Sequence, residues 1–161
     1  MDLVALDGTR FSLSIAGYQS LGNTGSGPGD WDANWLNVAG ELHLPDGRRH
    51  SFLDPCLPTW EARELATWLA AVAAGNASPA EDQSLPALTF TEPCVAFGLA
   101  DGGSGPIGLR VYLSLEAEPP FVVAGQKGMF KNYVPLPTTE ADVLRAAGEL
   151  SSELSAYPVR A

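Results

Sequence analysis

Alternation of apolar and polar side chains marks the first strand. Phe11, Leu13 and Ile15 alternate with Ser12, Ser14 and Ala16, the period of a half-buried β-strand. Asp7-Gly8 just before it is a two-residue hairpin signal. Further on, Leu36, Val38, Leu42 and Leu44 share one face of a second strand, with Gly40 between them as a candidate bulge. Asp46-Gly47 turns the chain, and His50, Phe52 and Leu53 bring it back. The period then changes. Leu65, Trp68, Leu69 and Val72 recur at helical spacing behind Thr59, a candidate N-cap, with Glu61 and Glu64 in or near the first turn. Gly75 supplies the stop.

The second half repeats this order. After a polar connector over 76–86, a strand is expected to begin at Leu88 and Phe90 and to continue through Val95, Phe97 and Leu99. Beyond a loop at 101–106, Ile107, Leu109, Val111, Leu113 and Leu115 face one way and Arg110, Tyr112, Ser114 and Glu116 the other, until Glu118-Pro119-Pro120 ends the ladder. Residues 121–123 and 133–134 read as short strands around Gly125-Gln126-Lys127-Gly128. The last element is a helix opened by Thr138 or Thr139, with Asp142 completing a loose capping box and Val143, Ala147, Leu150 and Leu154 as its apolar stripe. The expected fold class is α+β, a mostly antiparallel β-sheet with two α-helices packed on it. One domain spanning residues 1–161 is expected.

Length and charge narrow the function. A chain of 161 residues buries about 70% of the surface it exposes when unfolded. Its formal net charge is −10, from 19 acidic and 9 basic residues. Phosphate backbones and anionic lipids repel such a chain, so neither nucleic acid nor a membrane surface is an expected partner. A cationic protein is favoured, although acidity also serves solubility alone. The amino-terminal residues lack the pattern of a signal peptide, and the longest apolar run, around 69–74, is too short to span a bilayer. A cytoplasmic protein with reduced Cys56 and Cys94 is therefore expected.

Candidate chemistry is sparse. Two short segments echo each other: Phe52-Leu53-Asp54-Pro55-Cys56-Leu57 and Phe90-Thr91-Glu92-Pro93-Cys94-Val95. Asp54 and Glu92 could pair as acid and base in a small hydrolase, or each could close a strand exit by accepting from nearby backbone N–H groups. Cys56, Cys94, His43 and His50 have a zinc inventory, but the cysteines are far apart and neither belongs to a CxxC pair, so no metal or other cofactor is expected. Ser26 and Ser104 lie in no nucleophile elbow, and the Gly-rich loop over 22–29 lacks both dinucleotide and P-loop patterns and reads as a flexible connection. Catalysis is not expected. Partner binding is placed instead at Asp30, Trp31 and Asp32, where a loop tryptophan stands between carboxylates, and at the acidic strand end carrying Glu116 and Glu118.

Taken in order, Gly17-Tyr18-Gln19, Asn34-Trp35-Leu36-Asn37-Val38, Asp54-Pro55-Cys56-Leu57, Trp60-Glu61-Ala62-Arg63-Glu64-Leu65, Leu88-Thr89-Phe90-Thr91-Glu92-Pro93 and Leu115-Glu116-Ala117-Glu118-Pro119-Pro120 resemble the WapI family of bacterial immunity proteins. The resemblance runs over most of the chain, roughly residues 3–158. It implies an intracellular protein that binds and neutralises a cognate polymorphic toxin domain. The family's namesake protects against a tRNA-cleaving toxin, so a nuclease domain, which needs a positive surface for RNA, is one target the resemblance suggests. It carries over no catalytic or contact residues. The alternatives are a non-catalytic adaptor or self-associating module using the same sheet and tryptophans, and the carboxylate hydrolase.

Overall fold

The computed structural model of the chain describes residues 1–21, 30–101 and 103–160. The loop over 22–29 lies outside the described residues. Strands β1 (Asp2–Val4), β2 (Arg10–Tyr18), β3 (Trp35–His43) and β4 (Arg49–Pro58) form one antiparallel sheet in chain order. A single-turn helix, α1 (Trp31–Asn34), stands where a loop was expected, directly ahead of β3. Helix α2 (Thr59–Ala73) follows β4 without a break. Strands β5 (Val95–Ala100), β6 (Ile107–Leu113), β7 (Ala124–Gly125) and β8 (Asn132–Thr138) form a second antiparallel sheet in the order β5-β6-β8-β7, and helix α3 (Glu140–Leu154) completes the chain.

The α+β class holds, with two four-stranded sheets in place of one. Both sheets and both long helices feed one apolar cluster, in which Phe11, Leu13, Val38, Leu65, Leu69, Phe97, Val111, Leu136, Val143 and Leu150 are buried. The sheets meet through β1: Leu6 N–H donates to Pro137 O at 2.7 Å, and Thr138 Oγ1 donates to Val4 O at 3.2 Å. No helix among the described residues is long and apolar enough to cross a membrane.

Local signals put most elements where they are. Arg49 pairs with His43 across the Asp46-Gly47 turn, so the two histidines flank that hairpin as expected. Gly75, at φ +71°, follows α2, and its N–H bonds Val72 O at 3.1 Å while Asn76 N–H bonds Ala71 O at 2.8 Å. This is a Schellman stop, and the left-handed φ explains the glycine. Thr139 caps α3, its hydroxyl accepting from Asp142 N–H at 3.2 Å.

Four local expectations are corrected. Gly40 is no bulge. It pairs in register with Phe52, whose ring lies where a Cβ would be, 2.2 Å from that position. The ladder irregularities fall instead between Ile15 and Gly17 and between Leu36 and Asn37. Leu88 and Phe90 do not start β5; Leu88 pairs antiparallel with Phe97, so the chain doubles back at 91–94. Leu115 does not extend β6. Its φ is +50° and it opens a 3-10 turn, Leu115–Ala117. Finally, Pro58 holds the N-cap position of α2 and Thr59 is its first helical residue, with a hydroxyl directed to Asn34.

Candidate functional site

The sequence places Asp30, Trp31 and Asp32 beside each other, and the fold gives them a platform. Trp31, 49% exposed, rests edge-on against Trp60 at 4.7 Å between ring centroids and an 86° interplanar angle. The Trp35 ring centroid lies 6.3 Å from that of Trp31. The first turn of α2 and the start of β3 thus each set a half-buried indole against the exposed one. Asp30 caps α1, its side chain accepting from Asp32 N–H at 3.0 Å. Asp32 sits in the first turn of α1. An aromatic anchor fixed by its neighbours loses little conformational freedom on binding, and that is the character of an interface hot spot.

Asn34 fixes this platform, a role that the sequence reading did not find. It is 0% exposed. Its Nδ2 donates to Asp30 O at 2.7 Å and Arg160 O at 3.0 Å, and its Oδ1 accepts from Thr59 Oγ1 at 3.0 Å and Arg160 N at 2.8 Å. One amide therefore ties α1, the start of α2 and the carboxy-terminal segment. That segment is held further by the Arg160 guanidinium, 3.4 Å above the Tyr18 ring, and by Arg160 Nη1 donating to Ser20 O at 2.8 Å. The only signal in the sequence was a polar residue sitting among apolar ones at a strand start.

Glu116 and Glu118 have different surroundings. Glu118 Oε1 accepts from Gly128 N–H at 2.9 Å and lies 3.8 Å from Lys127 Nζ, so it organises the 126–128 turn. Glu116 is exposed on the 3-10 turn and lies with Glu92 and Cys94 in one cluster of potential ligand atoms.

The two echoing segments converge. Cys94 Sγ donates to Asp54 Oδ2 at 3.5 Å and lies 3.9 Å from Glu92 Oε1. Cys56 Sγ belongs to the same group, with Asp54, Cys56 and Cys94 ligand atoms all within 4.8 Å of one another. Both cysteines are free and buried. Neither acid is held as a strand-exit cap. The Cys94 thiol is pushed up from its ordinary value first by its hydrogen bond with Cys56, then by burial and by the charges of Cys56 and Asp54, which favours the protonated form in the absence of a cation. A glycosidase pair needs open space between its carboxyls for substrate and water. Here a buried sulfur stands between them. Two surface grooves lie elsewhere, one beside Gln83, Arg110 and Lys131 and another beside Arg63, Leu144 and Leu154. His43 lies near Glu41, and His50 Nε2 contacts Ala117 O at 3.0 Å. Neither histidine joins the cysteines.

A search of curated proteins returns no match. A family model does match, over residues 2–158, and its description is the immunity protein WapI-like family. With nearly the whole chain covered, this protein belongs to the WapI-like family of immunity proteins.

Proposed function

We propose that this protein acts in the cytoplasm by binding a cognate toxin domain stoichiometrically and blocking it, without catalysis. Membership of an immunity-protein family supports the class of partner. The observation that supports the mode is the Trp31 platform: a half-exposed indole braced by Trp35 and Trp60, with Asp30 and Asp32 alongside, on a chain of net charge −10. A tryptophan that is desolvated on binding, with carboxylates on either side of it in the chain, suits a cationic protein surface, and the global charge speeds encounter with it. An RNA-cleaving nuclease presents such a surface. Glu116 adds an exposed carboxylate, while Glu118 contributes through the turn it holds.

The test is co-expression with the toxin encoded beside the gene. The wild-type chain protects and co-purifies at one to one. Trp31→Ala leaves the fold intact by circular dichroism but weakens binding by at least 2 kcal/mol, as expected for a central aromatic anchor, and Asp32→Lys slows association most at low salt. Wild-type protection that is unchanged in the Trp31→Ala, Asp32→Lys double variant would overturn the assignment of the surface. Failure of the wild type to protect or co-purify would overturn the function. A stable oligomer that dissociates on Trp31→Ala would instead identify a self-associating module.

A further inference from the structure

We propose that Asp54, Cys56 and Cys94 form a three-residue site for a thiophilic divalent cation, with zinc the reference ion and Glu92 beside Cys94 at its edge, which pins β4 to the segment leading into β5. The two halves are built alike. Each is an acid, a proline and a cysteine, Asp54-Pro55-Cys56 and Glu92-Pro93-Cys94. On β4, Asp54 and Cys56 come together at the ladder irregularity opposite Leu36 and Asn37, and the intervening proline fixes φ and so limits what is lost when both side chains are ordered. The fold then brings the second half against the first.

The spacing of these sulfur hydrogen bonds is also one that a metal accepts. With zinc–sulfur bonds of about 2.3 Å and zinc–oxygen bonds of about 2.0 Å, a tetrahedral ion sets its sulfur and oxygen ligands about 3.5 Å apart and two sulfurs about 3.8 Å apart. Cys94 Sγ and Asp54 Oδ2 are 3.5 Å apart, and Cys94 Sγ and Glu92 Oε1 are 3.9 Å apart. The Asp54, Cys56 and Cys94 atoms all fall within 4.8 Å of each other. Glu92 reaches Cys94 but does not join the other two within that distance, so the fourth position of the ion is left to water. Thiol sulfur beside carboxylate oxygen favours zinc over calcium or magnesium, which take oxygen ligands alone.

Charge points the same way. Asp54, Glu92 and Glu116 gather at this place, yet the ion pairs among the described residues use Arg10, His43, Arg48, Lys127, Arg145 and the terminal ammonium, and none reaches these three acids. The residues outside the description, 22–29, 102 and 161, contain no lysine, arginine or histidine. No cationic side chain among the described residues therefore lies within 4.0 Å of these carboxylates. On binding, the two S–H bonds break, two sulfur–metal bonds form, both protons go to solvent and no electrons are transferred. Glu116, exposed at the mouth, provides the route of capture.

The test uses the full chain, reduced and freed of metal. Titration with Co²⁺ should give one tetrahedral ion per chain, seen as visible d–d bands with thiolate-to-cobalt charge transfer, and Zn²⁺ should displace it. Zinc should also shield both thiols from maleimide and raise the melting temperature. Cys56→Ser should abolish the charge-transfer band by more than half and weaken Zn²⁺ binding at least a hundredfold. Asp54→Asn should weaken it at least tenfold with folding unchanged, and carries the test if the cysteine variant does not fold. A reduced, folded protein that takes up neither ion at micromolar concentration overturns the proposal. So does one-to-one binding that is indifferent to both variants, or a Cys56–Cys94 disulfide as the stable form in mild reductant.

Discussion

Replacing Asn34 with alanine removes four hydrogen bonds from one buried point. The Thr59 hydroxyl, itself fully buried, loses its acceptor, and so does the Arg160 N–H; Asp30 O and Arg160 O lose donors. Each buried polar group left without a partner costs about 1–3 kcal/mol. The groups nearer the surface turn to water, so the full cost falls mainly on Thr59, and the expected loss is about 2–4 kcal/mol. That is a large share of the roughly 5–15 kcal/mol that holds a domain of this kind folded. The amide is needed in both senses. Asn34→Asp keeps the acceptor facing Thr59 but sets a carboxylate oxygen against the Asp30 and Arg160 carbonyls, so it should be at least as damaging at pH 7. Urea unfolding followed by tryptophan fluorescence measures both, because the indoles of α1, β3 and α2 report on the platform that Asn34 ties down. A double-mutant cycle with Thr59→Val should return a coupling of about 1 kcal/mol or more. A loss below about 0.5 kcal/mol for Asn34→Ala, with no change in the fluorescence of the native state, would refute the reasoning.

Two stability predictions rest on other parts of the fold. Gly40→Ala drives a methyl into the Phe52 ring, 2.2 Å from its Cβ position, and should cost about 1–3 kcal/mol by overpacking; chemical denaturation should show most of this recovered when Phe52 is shortened to leucine. Asp2 is held below the usual carboxylate range chiefly by its hydrogen bonds from Arg10, with Ser12 also donating. A depressed folded pKa adds stability above the unfolded value, near 4, which is lost as pH falls through the folded value. Asp2→Asn should therefore be the less stable chain at pH 7 in thermal melts, with the difference fading below about pH 4.

The elements whose signals are local stood plainly in the sequence. Phe11, Leu13 and Ile15 line the buried face of β2, Leu65, Leu69 and Val72 the buried stripe of α2, and Thr139 and Gly75 mark a helix start and a helix stop where they were expected. Alternation, helical spacing and capping are set by backbone geometry within a few residues, so a single segment carries the whole instruction. The pattern of Trp31 between Asp30 and Asp32 was local in the same way, while the exposure of its indole is a property of the fold. What brackets that tryptophan was not legible. Trp60 and Asn34 reach it only because β4 runs directly into α2 and the chain end returns past Tyr18.

Tertiary structure alone decided the rest. The division into two sheets, the reversal that pairs Leu88 with Phe97, and the left-handed Leu115 depend on which distant surfaces bury each other. The echo of acid, proline and cysteine was visible as two weak and separate motifs, and it read as two strand ends. Its convergence on Cys94 required the first sheet to dock against the second, a closure between segments far apart in sequence. Such closures are selected by the packing of the whole core, because loop entropy changes only slowly with length and favours no particular partner. The residue types present were therefore readable from the chain, and whether they meet was settled by the core that brings them together.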